Sequence, residues 1–217
     1  GEVKEGLKSA DAPNAFHAEP VTMTDIAVAA NGDAVRAIVA QDGSLLTSSQ
    51  KAVPYAADGY WYSRPQEDVL KIVVVNRYKK QKPAVGFVKG FGLKEGAIAS
   101  TVAHDSHNII AVGASDEAIV NAVNEVVAHK GGIVAWKSEW EKRVLPLEVA
   151  GLMTRKEGAE VAAQYKALNK FTKHLGTKMH APFMTLAFMA LLVIPELKIG
   201  DKGLFDVSSF SFTQLDV

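Results

Sequence analysis

The chain has 217 residues, 48% hydrophobic and 22% charged, the ordinary balance of a globular protein, and that length allows one large domain or two small ones with a sizeable core. Its 24 basic and 24 acidic residues cancel, which argues against nucleic acid or a membrane surface as partner, because such binders carry a basic footprint. There is no cysteine, so disulfides, thiolate metal sites and a cysteine nucleophile are excluded, and a cytoplasmic location is the expectation.

The opening GEVKEGLKSADAPN is charged and lacks the apolar stretch of a signal peptide. Residues 1–20 show little periodicity and read as a linker or an arm packed on something else. AVRAIVAQDGSLLTSS, from Ala34, reads as a hairpin turning at Asp42-Gly43. DVLKIVVVNRY (68–78) is a β-branched run, the pattern of a buried strand. The Lys79-Lys80-Gln81-Lys82 run reads as a solvated turn.

Glycines 86, 90, 92 and 96 then punctuate GFVKGFGLKEG. A dinucleotide fingerprint needs a third glycine where Glu95 stands, and no phosphate-loop Lys-Ser or Lys-Thr follows. Turns and close packing account for these glycines better than phosphate binding does.

AIASTVA and NIIAVG read as two strands, and HDSHN (104–108) falls where they meet. His104 and His107 are three apart, a spacing that would let both face one metal on a helix, but the β-branched flanks favour strands. Asp105 is suited to orient a histidine, accept a proton or hold a substrate amine. Ser106 lacks the setting of a hydrolase nucleophile. Two readings stay open: a polar turn bonding its own backbone, or a binding or catalytic loop at the mouth of a cleft. His17, His129, His174 and His180 are isolated, and His129 and His174 suit helix C-termini.

SDEAIVNAVNEVVAHKGG (115–132) predicts a helix capped by Ser115, with Asp116 and Glu117 at its positive end, Gly131 after its end, and Ile119, Val123, Val126 and Val127 as its buried stripe. GIVAWKSEWEKRVLPLEV predicts a hairpin in which Trp136 and Trp140 pack. Thr154 and Glu157 have capping-box spacing and predict the start of a second helix, with Val161, Tyr165, Leu168, Phe171 and Leu175 on one face and Gly176 as its stop. PFMTLAFMALLVIP (182–195) has 12 residues between its prolines, too few for a span of about 20, and reads as a buried helix or strand pair. The sum is an α+β, or mixed α/β, domain: a mixed sheet of roughly six strands flanked by helices.

Four long phrases then recur together in order: DVLKIVVVNRY, VGFVKGFGLKEGAIASTVAHDSHNIIAVG, LPLEVAGLM and APFMTLAFMALLVIPELKIGDKGLFDV. With them the chain resembles the C-terminal part of bacterial and archaeal adenine deaminases of the amidohydrolase superfamily. The resemblance implies a crossover in residues 1–15 and the C-terminal domain in 16–217. It implies hydrolysis of adenine to hypoxanthine and ammonia in purine salvage, with a divalent metal (manganese, iron or zinc) held in an N-terminal (β/α)₈ barrel. No His-x-His pair occurs here, and 217 residues fall short of a barrel's roughly 250, so catalytic and metal residues are expected outside this chain.

The partners the resemblance implies are the chain's own barrel, adenine and further copies of the protein, without nucleic acid or membrane. Under it, His104, Asp105, Ser106, His107 and Asn108 are candidates to close the substrate pocket, and Gly90 and Gly92 are candidates for close backbone approach. Isolated, the domain is expected to be inactive. The alternative is a structural or oligomerisation module that stabilises the barrel without touching substrate; a free-standing protein with its own site is a third reading.

Overall fold

The computed structural model describes residues 13–217, so most of the expected 1–15 crossover lies outside the described residues. In chain order the elements are β1 (Val35–Ala40), β2 (Thr47–Ala52), β3 (Tyr55–Ala57), β4 (Tyr60–Tyr62), β5 (Leu70–Val75), β6 (Ala84–Lys89), β7 (Ala97–Ser100), β8 (Ile109–Gly113), α1 (Asp116–Ala128), β9 (Gly132–Trp136), β10 (Lys142–Pro146), α2 (Gly158–His174), α3 (Pro182–Met189), β11 (Leu197–Gly200), β12 (Gly203–Asp206) and β13 (Ser211–Phe212). Eight strands form one mixed sheet, in the order β10-β9-β7-β8-β5-β6-β1-β2, somewhat larger than the six expected. Its one parallel pair is β1 with β6; the other pairs are antiparallel.

The strands at the centre are buried on both faces, which is why they read as continuous apolar runs rather than alternating ones. Side-chain alternation still sorts them. Val73 and Val75 of β5, with Ile109 and Ala111 of β8, face α1 and its Ile119, Val123 and Val126. Ile72 and Val74, with Ile110 and Val112, face the other layer, built from α2, α3 and the small β11-β12-β13 sheet. Gly86 lets that small sheet close on β6, since a Cβ there would lie 3.1 Å from Leu204 and 3.2 Å from Ile199.

Local chemistry explains most boundaries. The Ser115 hydroxyl accepts the Ala118 N–H and caps α1. Gly176, at φ +107°, follows α2 and turns the chain away. Residues 182–189 form a buried helix opened by Pro182. No helix among the described residues is long and apolar enough to cross a membrane.

Two expectations are corrected. The Thr154–Glu157 capping box does not form: α2 starts at Gly158 after Glu157, which makes no side-chain cap. The Glu148 carboxylate takes the Thr154 hydroxyl (3.2 Å) and the Arg155 N–H (2.9 Å) instead. Trp140 does not pack in the β9–β10 hairpin; it is 93% exposed in the turn, whereas Trp136, on the strand, is buried against the α1 layer.

Candidate functional site

The HDSHN segment bridges β7 and β8 at the end of the sheet where Val75 pairs with Ile109. Backbone bonds fix both its ends. The His104 N–H donates to Ala187 O at 3.1 Å, tying the loop to α3, and the His107 N–H donates to Ala103 O at 2.7 Å. His107 sits at φ 52°, the left-handed region that lets the chain reverse into β8.

Asn108 is buried and engaged within the chain. Its Oδ1 accepts the Arg77 N–H at 3.2 Å, and its Nδ2 donates to Ser106 Oγ at 3.2 Å. Arg77, which follows β5, lays its guanidinium 4.7 Å from the Tyr78 ring and donates to Ala150 O (2.6 Å) and to Tyr78 Oη (2.8 Å). Tyr78 Oη in turn donates to Ser106 O at 2.7 Å. Residues 77 and 78 thus brace the loop from below. Sequence reading missed both, because they look like the trailing end of a strand; an Arg-Tyr pair directly after an apolar run was the available signal.

The groups with free valence are His104, Asp105 and one nitrogen of His107. Among the described residues the exposed Asp105 carboxylate makes no hydrogen bond or ion pair, and neither ring nitrogen of His104 makes one. The His104 ring rests 4.7 Å from Phe188 and 5.5 Å from His107, centroid to centroid. His107 Nδ1 accepts the Ala103 N–H at 3.3 Å, which leaves the proton of the neutral ring on Nε2. Burial, reinforced by His104 and Arg77 and opposed by Asp105, holds the His107 imidazole below its usual pKa. The loop therefore carries an N–H donor at His107 Nε2 and, two residues earlier, the exposed Asp105 carboxyl group. That pairing can grip a molecule presenting an acceptor next to a donor.

Gly90 and Gly92 lie elsewhere. They follow β6, whose Val88 pairs with Leu70, so they sit at the opposite end of the sheet from HDSHN. Their amides donate to the Asp68 carboxylate at 2.8 and 2.7 Å. A Cβ on Gly90, at φ +101°, would lie 2.1 Å from Ala40 O, so the close approach there is to the chain itself. Asp68 was not singled out in the sequence, where nothing marks an aspartate before a strand as the clasp of a distant loop.

Among the described residues no group of three or more His, Asp or Glu side chains is placed to hold a metal ion. His104 and His107 lack a third ligand, so this chain's donor set does not fit the metal that the resemblance implies, and no chemistry is routed through one here.

The family model described as "Adenine deaminase C-terminal domain" matches residues 44–211. A protein named adenine deaminase from Methanosarcina acetivorans is 51% identical over 225 residues, covering 99% of this chain and 40% of that protein. Its namesake from Salinibacter ruber is 50% identical over 206 residues, 94% of this chain and 37% of its own length. A third, from Borreliella burgdorferi, is 51% identical over 148 residues, 67% of this chain and 27% of the relative. The chain spans about 40% of the length of the first of these relatives.

Proposed function

The chain belongs to the adenine deaminase C-terminal domain family, and from that premise we propose that it works as part of an adenine deaminase, converting adenine and water to hypoxanthine and ammonia in purine salvage. The metal and the proton-transfer groups belong to the remainder of the protein, in a (β/α)₈ barrel. This domain packs on that barrel and presents the HDSHN loop to its mouth. There, His107 Nε2–H and the Asp105 carboxylate match the acceptor and donor edge of an aminopurine, and His104 closes the apolar side with Phe188. Asn108 and Ser106 hold the loop's shape.

The observation that carries this reading is where the chain's incoming segment runs. The His17 N–H donates to Arg77 O at 2.6 Å, and Pro13 O accepts the Ala150 N–H at 2.7 Å. Both acceptors and donors belong to the web that braces HDSHN. Residues 13–17 of this chain therefore run beside the loop whose polar groups lack partners. The rival, a purely structural module, draws its support from the internal bonds of Asn108 and Ser106, but it leaves Asp105 and His104 without a task.

Hydrogen exchange tests the docking. The amides of residues 103–108 exchange more slowly in the intact protein than in this 217-residue chain alone if the loop is covered. Equal rates in the two would remove the barrel-facing placement.

A further inference from the structure

The brace beneath HDSHN contains a charge that stability does not explain. Arg77 is 4% exposed, and among the described residues its guanidinium forms no ion pair. Nη1 and Nη2 donate to neutral acceptors, Ala150 O and Tyr78 Oη, and the buried Nε–H has no partner. A cation buried without an anion is costly, and an apolar side chain of similar volume serves stability as well or better.

The guanidinium is locked from several sides. A Cβ on Gly151, at φ +67°, would run into Arg77 Nη1, so the fork lies directly on that glycine. Thr101 Oγ1 holds Gly151 O at 2.6 Å, and the Ala150 peptide that accepts Nη1 donates its own N–H to Pro13 O at 2.7 Å. Tyr78 is fixed at its backbone, where its N–H donates to the buried Asn76 Oδ1 at 2.9 Å. From this base two arms reach the same loop residue. Tyr78 Oη, anchored by Arg77 Nη2, donates to Ser106 O at 2.7 Å. The Arg77 N–H holds Asn108 Oδ1, and Asn108 Nδ2 donates to Ser106 Oγ. Ser106 is therefore gripped at its carbonyl and at its hydroxyl, and it stands between the two residues that carry the outward groups, Asp105 and His107.

We infer that Arg77 and Tyr78 are positioning residues of the HDSHN loop, acting through both holds on Ser106 to set where the Asp105 carboxyl and the His107 ring point. The inference rests on the proposed function for its effect on turnover, but the loop geometry it concerns stands apart from that reading. The charge of Arg77 adds a second contribution. Burial, with His104 and Arg77 beside it and Asp105 opposing, disfavours the charged His107 ring. A charged ring would carry a proton on Nδ1 and lose the bond that this atom accepts from the Ala103 N–H. A buried cation at position 77 thus favours the one form of His107 that the loop's backbone accommodates.

Three variants test this. Tyr78→Phe removes one hydroxyl from a residue that is 41% exposed, Arg77→Met removes the charge and the fork, and Arg77→Lys keeps the charge without the fork. Adenine deamination and melting temperature are measured on the intact protein; His107 titration by NMR and amide exchange are measured on this chain. Tyr78→Phe lowers kcat/KM about fivefold or more, with the melting temperature down by no more than about 5 °C, and residues 104–108 exchange faster. Arg77→Met gives the same kinetic loss and moves the His107 titration to higher pH. Arg77→Lys restores the titration but not the kinetics, because one ammonium cannot replace the fork that joins Ala150 O to Tyr78 Oη. A purely structural pair would lower the melting temperature and leave kinetics and titration at wild type. The inference is overturned if Tyr78→Phe keeps wild-type kinetics while Asp105→Ala with His107→Ala is impaired, or if Arg77→Met leaves the His107 titration unmoved. If Arg77→Met does not fold, Tyr78→Phe decides. If the Asp105→Ala, His107→Ala protein is itself fully active, the proposed function fails instead. The positioning claim is then judged by exchange in Tyr78→Phe, where unchanged rates at 104–108 overturn it.

Discussion

Removing the Asn108 side chain separates the scaffold of the HDSHN loop from its outward-facing groups. Asn108→Ala deletes two side-chain bonds, to the Arg77 N–H and to Ser106 Oγ, both 3.2 Å long. Each neutral bond contributes roughly 1 kcal/mol net, and the Arg77 amide is left as a buried donor without a partner, a further penalty in the 1–3 kcal/mol range. Because 3.2 Å is at the long end for such bonds, each counts for about 0.5 kcal/mol and the bare amide for about 1–2 kcal/mol, a total of about 2–3 kcal/mol. For a chain of this length that lowers the melting temperature by roughly 5–10 °C. Urea denaturation and calorimetry of the domain read it directly. Asp105→Ala is the control: an exposed carboxylate without a partner should change stability by less than about 0.5 kcal/mol. If Asn108→Ala is as mild as Asp105→Ala, the division into supporting and presenting residues is wrong.

Lys198 is fully buried with one partner, Leu45 O at 2.8 Å, and burial pushes its ammonium down to about 8 from 10.5. Below pH 8 the charged form penalises the fold in full; as pH rises from about 8 to 10.5 the folded chain loses this proton first, so stability rises. The stability gap between wild type and Lys198→Met should therefore shift by up to about 3 kcal/mol across that window, and a flat difference would contradict it. His107, held below its usual 6.5, should titrate by NMR on the acid side of that value; its protonation disfavours the fold, so the contribution present above pH 6.5 is lost as pH falls through the folded pKa. Gly90→Ala should cost well over the ~1 kcal/mol of left-handed backbone strain, because its Cβ would meet Ala40 O at 2.1 Å; Gly92→Ala, whose nearest neighbour is 3.8 Å away, should show the strain alone in the same denaturation assay. Asp68→Ala should destabilise by about 2–4 kcal/mol, since it strips both glycine amides of a charged acceptor.

Local rules made some of this fold readable. The Asp42-Gly43 turn, the Ser115 cap and the β-branched runs each act within a few residues, and the hairpin, α1 and the central strands stand where those signals put them. Readings failed where a distant group competed for a local one. Thr154 had the spacing of a cap, but Glu148, in a separate segment, takes its hydroxyl. Trp136 and Trp140 are alike in sequence, and only the strand register with Lys142 decides that the first faces the α1 layer while the second stands in the turn. The short strands at 55–57, 60–62, 197–200 and 203–206 are too brief to show a period. At the candidate site the sequence marked HDSHN as unusual, because five polar residues interrupt two apolar runs. It did not mark Arg77, Tyr78 or Asp68, whose roles exist only once β5 is paired with β8, for the first two, and with β6, for the third. Nor did it mark Asp116 as more than a helix-terminal acid, because its buried partner Lys71 lies 45 residues away in sequence.

The most direct measurement of the central claim is steady-state adenine deamination by the intact protein carrying Asp105→Ala and His107→Ala together, with the domain's melting temperature recorded on the same sample. A raised KM or a lowered kcat, by about tenfold or more, is expected at a melting temperature lowered by no more than about 5 °C, the cost of the lost His107 Nδ1–Ala103 bond. Unchanged kcat and KM would show that HDSHN does not reach the substrate and that the domain serves the barrel by structure alone.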